Sequence, residues 1–412
     1  MSSLTDLSNE LLFLIFEYLA FKELRSLALT SRRMHHVSNP LLYRIIGLNV
    51  TTAPHLIQTF GQRADLAQCV KTLMITGKWL ATDDLLLLLP SLSNVEVVSV
   101  DSGIAFKKSC SCYSGLLHHH LAFPKLRRIS MRSIRPQGVF SCRKLISIAK
   151  LLLELPTLEA LELWDGIFEH ELSSRRKRVP QGLYLPRLEL HDTFIRTDTL
   201  MEIVSGLNSL KHFTYKAVGL YERASESLRK RLEWQWSDLG SVLDPLSREM
   251  ETIDIRVPPA PNLRRPRAQC GNFFNYGALK VLSITMDMLI YIEWARYNGL
   301  LKDRFNEYCD PFLLASQIPP SLEILELHSC SGLVVSHLEH LMCEPRRIPP
   351  ALKRIKIWMA DNFDEDIEQE DLSNNAKLER VQARRSILQE LISDFAANGV
   401  ELNVLGEGCK EI

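Results

Sequence analysis

One apolar pattern recurs along most of this chain and restricts the folds that it can adopt. From residue 70 onward, an apolar residue is followed by two other residues, a second apolar residue, one more residue and a third apolar residue. The ten copies are VKTLMI, LSNVEV, LRRISM, LEALEL, LPRLEL, LKHFTY, METIDI, LKVLSI, LEILEL and LKRIKI. They begin at Val70, Leu92, Leu126, Leu158, Leu185, Leu210, Met250, Leu279, Leu322 and Leu352. The closing alternation of apolar residues predicts a short strand in each copy, and helical stretches fill the intervals.

Proline often precedes these copies. In five of them it stands two residues before the first apolar position, at Pro90, Pro124, Pro156, Pro320 and Pro350. Because proline fixes φ and moves its predecessor out of helical geometry, it predicts where a helix ends and a strand begins. The copy at Leu185 has two possible registers, since Pro186 would instead align Leu188.

The strand-and-helix repeat resembles the leucine-rich repeat, in which stacked units share one core. The copies are irregular, and only Cys330 stands where the family places Asn or Cys after the strand. Long intervals predict helical insertions at about 220–245 and 362–397, the second leading into a last strand, VELNVL. The alternative is a doubly wound sheet, which favours longer and more continuous β-branched strands than this chain has.

The segment before the repeats is strongly apolar, with the core LLFLIFEYLAF. Leu7, Leu11, Ile15 and Leu19 recur at the spacing of one helical face. Ser8 and Ser31 are good capping residues for a first and a third helix, and Pro40 is expected to end the third. Lys and Arg are absent before Lys22, and the apolar run is too short for a membrane span, so neither a signal peptide nor a membrane helix is predicted.

This segment resembles the F-box. The matching residues are Glu10-Leu11-Leu12, Ile15-Phe16, Tyr18-Leu19, Glu23-Leu24, Leu27, Ser31-Arg32 and Pro40-Leu41-Leu42-Tyr43. One departure is Ser8, which stands where the family has proline. Serine can cap the helix instead, although adaptor affinity could be reduced.

The resemblance implies docking to the small Skp-family adaptor of cullin–RING ubiquitin ligases. By position, the adaptor-binding residues would be Leu7, Leu11, Ile15, Leu19, Leu24, Pro40 and Leu41. The alternative is an N-terminal helical cap whose apolar face packs on the following domain. Three short helices have little interior, so an all-round apolar first helix predicts a covered interface.

Composition is that of an ordinary folded protein, with zero formal net charge, 46% hydrophobic and 24% charged residues. A neutral balance argues against a dedicated nucleic-acid binder. Nine scattered cysteines predict reduced thiols, hence a cytoplasmic or nuclear location.

Enzyme motifs are absent from the sequence, so catalytic residues, cofactors and metals are not predicted. Cys110-Ser-Cys112 with His118-His119-His120 has poor spacing for zinc, and a polar loop is the favoured interpretation. Arg175-Arg176-Lys177-Arg178 favours a solvated loop over a nuclear localisation signal or a phosphate contact. An enzyme built from distant residues, such as a Cys–His pair, stays open.

The predicted strands place two columns of side chains on the face away from the core. The first column is Met74, Glu96, Ser130, Glu162, Glu189, Thr214, Asp254, Ser283, Glu326 and Lys356. The second is Thr76, Val98, Arg132, Trp164, His191, Lys216, Arg256, Thr285, His328 and Trp358. Acidic residues in one column and basic residues in the other predict mutual neutralisation by cross-strand pairing. The functional alternative is a substrate-binding surface of Trp164, Glu162, His191, His328, Glu326 and Trp358, with the tryptophans as anchors.

The sequence therefore predicts an α/β protein that resembles F-box proteins with irregular leucine-rich repeats, of the fungal type. A three-helix F-box at 4–48 precedes a solenoid at 49–412, with parallel strands and helices on the convex side. The implied function is recruitment of an unknown protein substrate to a Skp–cullin–F-box ubiquitin ligase, without catalysis by this chain and without membrane or nucleic-acid partners. The alternative is a binding scaffold with no role in ubiquitination.

Overall fold

The structure is a computed structural model, and it divides the chain into two compact units, Met1–Leu172 and Ser173–Ile412. The residues that it describes are 4–49, 51–76, 88–102, 123–133, 139–141, 155, 157–165, 167–169, 182–195, 197–219, 239–257, 273–289, 313–330, 332–343, 346, 348–360 and 374–406.

The first unit begins with three short helices, as the apolar periodicity predicts. After a 3-10 turn at Leu4–Asp6 they are α1 (Asn9–Phe16), α2 (Phe21–Ala28) and α3 (Arg32–Leu42). The side chain of Ser8 accepts a 3.4 Å hydrogen bond from the Leu11 amide, and that of Ser31 accepts one of 3.1 Å from the Met34 amide. Both predicted N-caps are therefore confirmed.

The prediction that Pro40 ends the third helix is wrong. Pro40 lies inside α3, which continues to Leu42. Because the helix ends within two residues of the proline, the strain of an internal proline is confined to its last turn.

The rest of the first unit alternates strands with short helices. The strands are β1 (Ile45–Leu48), β2 (Thr72–Thr76), β3 (Val97–Ser102), β4 (Arg128–Ser133), β5 (Val139–Ser141), β6 (Ala160–Trp164) and β7 (Ile167–Glu169). The helices are α4 (Ala53–Gln62), α5 (Ala64–Gln68) and a 3-10 turn at Leu89–Ser91. Strands β1, β2, β3, β4 and β6 pair in that order as a parallel sheet, and β5 pairs with β7.

The register of the second repeat copy differs from the prediction. Val97 pairs with Thr72 and Val98 with Leu73, so this copy begins at Val95 and not at Leu92. A shift by an odd number of residues exchanges the two faces of a strand. Ser99 and Asp101 therefore occupy the positions predicted for Glu96 and Val98, and Val98 is buried. Both Leu92 and Val95 are fully buried, which is why the apolar pattern alone allowed either start.

The second unit repeats the same alternation. Its strands are β8 (Arg187–His191), β9 (Phe194–Ile195), β10 (His212–Lys216), β11 (Thr252–Arg256), β12 (Val281–Thr285), β13 (Ile324–Cys330), β14 (Arg354–Met359) and β15 (Glu401–Gly406). Its helices are α6 (Thr197–Val204), α7 (Leu239–Leu243), α8 (Met286–Leu289), α9 (Leu313–Gln317), α10 (Leu333–Cys343) and α11 (Asn374–Ala397), with 3-10 turns at Asp244–Leu246 and Phe273–Asn275. In the part of the chain that the structure describes, every helix is too short or too polar to cross a membrane.

Strands β8 and β10 to β15 form a parallel sheet in chain order. Leu188 pairs with Phe213, so the ambiguous copy begins at Leu185, in line with Leu210. The final helix ends at Ala397 and the last strand begins at Glu401, next to the predicted Val400, whereas the start of the second predicted insertion and most of the first lie outside the described residues. In both units the first apolar residue of each copy is buried, so the pattern predicts the core side of the strands correctly in every copy except the second.

A ladder of alternating charges, which the periodicity does not predict, precedes the strands. The residue immediately before the strand is Lys71, Glu96, Arg127 and Glu159 for β2, β3, β4 and β6, and Lys211, Glu251, Lys280, Glu323 and Lys353 for β10 to β14. In the second unit the Glu251 carboxylate lies 2.9 Å from Lys211 and 3.9 Å from Lys280. The hydrogen bond from Lys211 holds the pKa of Glu251 below its ordinary value. In these two runs, adjacent strands therefore have opposite charges at this edge.

Replacing Glu251 by lysine is expected to place three lysines side by side and to lower the melting temperature by about 2–4 °C. Glu251→Gln should lower it less, because it removes an attraction without adding repulsion. The charge exchange Lys211→Glu, Glu251→Lys, Lys280→Glu should recover part of the loss. Thermal unfolding at low and high salt checks this, since screening should reduce the difference; equal melting temperatures for Glu251→Lys and Glu251→Gln would argue against the ladder.

Candidate functional site

The three N-terminal helices close around a small core of their own. It consists of Leu12, Phe16, Leu24, Met34, Val37 and Leu41, with Leu7, Phe13, Leu19, Leu27 and Leu42 packed against it. Leu24 and Leu41 are only 6% and 9% exposed. Burial between the helices leaves little of either side chain open to a partner, so their place in an adaptor-binding surface stays a prediction.

The first helix is apolar on two sides, and one of them is open. Leu12 and Phe16 point into the core, whereas Leu11, Leu14, Ile15 and Tyr18 are 50%, 55%, 42% and 90% exposed. The spacing of Leu11, Leu14 and Ile15, i, i+3 and i+4, places them along one side of α1, and Tyr18 follows in the turn after the helix. We call Leu11, Leu14, Ile15 and Tyr18 the exposed stripe.

The stripe is part of a wider concentration of exposed apolar side chains. Among the described residues, eight of the fifteen large apolar side chains that are exposed lie between residues 4 and 45. Besides the stripe they are Leu4, Phe21, Leu29 and Ile45. Exposed apolar residues are rarely concentrated in this way on a protein surface unless another molecule covers them. The apolar pattern does not predict exposure of Phe21, Leu29 and Ile45, because these residues belong to no single helical face.

Of the other residues predicted to bind the adaptor, Leu7, Leu19 and Pro40 are half-buried. Leu7 and Leu19 lean on the three-helix core and present only part of their surface. Leu11 and Ile15 are exposed, so of the residues predicted to bind the adaptor these two are the most accessible to a partner.

Two arginines fix the first helix against the rest of the first unit. Arg33 of α3 donates a 2.9 Å hydrogen bond to the Asn9 side chain and another bond to the Leu7 carbonyl. Arg44 forms a 2.7 Å ion pair with Glu17, just after α1. Hydrogen bonds at both ends of α1 hold the exposed stripe in one orientation.

Comparison with known families agrees with this geometry. Residues 5–49 match the family model for the F-box-like domain. The chain therefore carries an N-terminal F-box-like domain, and F-box domains typically bind Skp-family adaptors. A search of the curated proteins found no match to the chain.

The open face of the first unit's sheet holds Glu162 and Trp164 on β6. Glu162 lies 3.2 Å from Arg128 and is largely covered. Trp164 is half-buried, and the Arg132 guanidinium lies 6.0 Å from its ring centroid. Arg132 also pairs with Asp165 at 3.1 Å. Pairing between neighbouring strands thus occupies these charges.

The second unit brings Glu326, His328 and Trp358 together on β13 and β14. The His328 ring stacks on Trp358 with centroids 4.2 Å apart, and its Nε2 lies 3.0 Å from the Ser283 hydroxyl. His191 belongs to a different place on this face. It pairs with Glu189 at 3.0 Å on β8, four strands from β13, or about 19 Å away at the usual strand spacing.

Burial keeps this histidine neutral at physiological pH. It lowers the pKa of His328 to about 4, and the nearby Arg256 adds to the effect. Asp254 differs from His328, because neighbouring charges and not burial decide the direction of its pKa shift. Burial raises its pKa, but the ion pairs with Lys216 and Arg256 outweigh burial and hold that pKa below its ordinary value.

Other candidate motifs lie outside the described residues. They are Cys110, Cys112, His118-His119-His120 and the basic run Arg175-Arg176-Lys177-Arg178. Within the described ranges, no group of three or more His, Cys, Asp or Glu residues is placed to hold a metal ion.

Proposed function

We propose that this chain is a substrate receptor of a Skp–cullin–F-box ubiquitin ligase. The F-box-like domain at the N-terminus would dock the adaptor, and the repeats that follow would hold a target protein. The observation that carries this proposal is the exposed stripe on α1 within the residues that match the F-box-like family.

The stripe is suited to a protein partner because it is both apolar and rigidly held. Burial of exposed leucine and isoleucine side chains is worth about 25 cal/mol per Å² of apolar surface. The hydrogen bonds from Arg33 and the ion pair of Arg44 hold the helix in place before binding, which lowers the entropy lost on association.

We further propose that the repeat region is an irregular leucine-rich-repeat solenoid. Parallel strands in chain order, each with its first apolar residue buried, support this fold within each unit. In this role the chain contributes proximity and not catalysis, since tethering raises the effective concentration of the target near the ligase. Its place is the cytoplasm or nucleus, where such ligases act and scattered cysteines stay reduced.

The direct test replaces two residues of the stripe. Leu11→Asp with Ile15→Lys is expected to weaken binding of a purified Skp-family adaptor at least about 100-fold, because charges at the centre of an apolar interface cost more than 1.4 kcal/mol each. Affinity is measured by calorimetry or by surface plasmon resonance.

A matched control exists on α11. Leu378 and Ile392 are 57% and 39% exposed, close to the values for Leu11 and Ile15. Leu378→Asp with Ile392→Lys makes the same chemical change and should leave adaptor affinity unaltered. Adaptor binding that survives in the Leu11 and Ile15 variant, or that is absent from the unaltered chain, would favour the ligase-independent scaffold.

A further inference from the structure

The open face of the second unit's sheet carries a compact group of charges on β10, β11, β13 and β14. Lys216 lies 2.9 Å and Arg256 2.8 Å from the carboxylate of Asp254. Lys356 lies 3.0 Å and Arg256 3.9 Å from that of Glu326. These ion pairs of the described residues join three cations to two carboxylates, with Arg256 shared, so the group has an excess of one positive charge.

Burial separates the two signs of charge. The side chains of Asp254 and Glu326 are 14% and 16% exposed, whereas those of Lys216, Arg256 and Lys356 are 35%, 35% and 30% exposed. The carboxylates therefore lie beneath and the cations face outward. We call Lys216, Arg256 and Lys356 the cationic cluster.

The base of the cluster is rigid. The Arg256 guanidinium lies within 3.4 Å of the Ser283 hydroxyl, which also contacts His328. Trp358 stacks on His328, and the Lys356 ammonium lies 5.9 Å from the Trp358 ring centroid. Cations held in this way need little reorganisation to meet an anion, and the half-buried Trp358 offers an apolar surface beside them.

We propose that the cationic cluster binds an acidic segment of the recruited protein, through its carboxylate or phosphoryl oxygens. This inference rests on the proposed function, and it names the chemistry by which the repeats select a target. Charge complementarity identifies the occupant: outward cations above buried carboxylates attract anionic groups and repel basic segments. Arginine in particular forms paired hydrogen bonds with carboxylate and phosphate.

The probes are fluorescein-labelled decapeptides of glutamate, of alternating phosphoserine and glycine, and of glutamine. At least one anionic peptide should bind and the glutamine peptide should not. Lys216→Ala with Lys356→Ala is expected to weaken that binding at least about tenfold. Tighter binding of the phosphoserine peptide assigns phosphoryl groups as the natural anion, and tighter binding of the glutamate peptide assigns carboxylates.

The charge ladder supplies the control. Lys211→Ala with Lys353→Ala removes two positive charges from the residues just before the same strands, β10 and β14, and should change affinity less than about twofold. Lys216→Arg with Lys356→Arg keeps the charge and should keep the binding. Equal weakening by both alanine pairs, equal affinity for the glutamine peptide, or no binding of either anionic peptide would overturn the inference.

Adaptor binding, measured on the same preparations, separates this inference from the proposed function. Adaptor binding without peptide binding contradicts the cationic cluster alone. Peptide binding without adaptor binding contradicts the ligase role alone.

Discussion

Phe16→Ala is expected to destabilise the three-helix segment by about 3–5 kcal/mol, the usual cost of removing a buried phenyl ring. Phe16 is 1% exposed and belongs to the core formed by α1, α2 and α3. A segment of this size buries little apolar surface, so it has little stability to lose. Amide hydrogen exchange should therefore show loss of protection in all three helices, and adaptor binding should be lost with it.

Leu14→Ala is the control on the same helix. Leu14 is 55% exposed, so its truncation should change stability by less than about 0.5 kcal/mol and leave exchange protection unaltered. The two variants thus separate the buried side of α1 from its open side. Protection that persists in Phe16→Ala, or that falls equally in both variants, would contradict the assignment of the core.

His328 is expected to make the protein less stable in mild acid. Burial lowers the pKa of this residue from 6.5 to about 4, whereas the unfolded chain keeps the ordinary value. Between those two values the unfolded state binds a proton that the folded state does not, so the stability contributed by neutral His328 is complete above pH 6.5 and is lost as the pH falls toward 4. The loss at pH 5 is about 2 kcal/mol.

The comparison protein is His328→Gln, whose amide can bond to Ser283 but does not titrate. Asp254, Glu326, Lys216 and Arg256 surround His328 and are present in both proteins, so their contributions to stability largely cancel in the difference. Urea unfolding between pH 7.5 and 5 should give a steeper decline for the unaltered chain. Parallel curves would show that His328 is not buried in its neutral form.

The two proposed binding surfaces, the exposed stripe and the cationic cluster, differ in their chemistry. The exposed stripe of the first unit is apolar and suits a constant partner, because burying it leaves no charge to satisfy. The cationic cluster of the second unit is polar and suits discrimination between targets, because complementary charges select partners more than they add affinity.

The strands of the repeat were predictable because successive side chains of a strand point to opposite faces. Apolar residues at every second position therefore mark the buried face. Leu188, Phe213 and Ile253 fall on the buried face as expected. The apolar pattern does not decide the register of the second copy, because Leu92 and Val95 both satisfy it. Only pairing with Thr72 and its neighbours selects Val95 as the first position.

Burial at the N-terminus was less predictable. The motif placed Leu24 and Leu41 beside Leu11 and Ile15 as contact residues, yet the first two lie in the core. A helical period predicts that one face is apolar, and it does not say which of two apolar faces turns inward. The charge ladder could have been found in the sequence, because its signs alternate at a fixed place in the repeat.

The sequence by itself determined the kind of most local elements: three helices, of which the first and third have serine caps, then short strands separated by helices. Those features depend on residues close together along the chain, so local periodicity and capping decide them. Only the tertiary structure decided which side of α1 stays open, which register the second strand takes and why the cations of the second unit face outward. These properties depend on contacts between residues that are far apart in the sequence. Such contacts form only when the neighbouring strands and helices are in place.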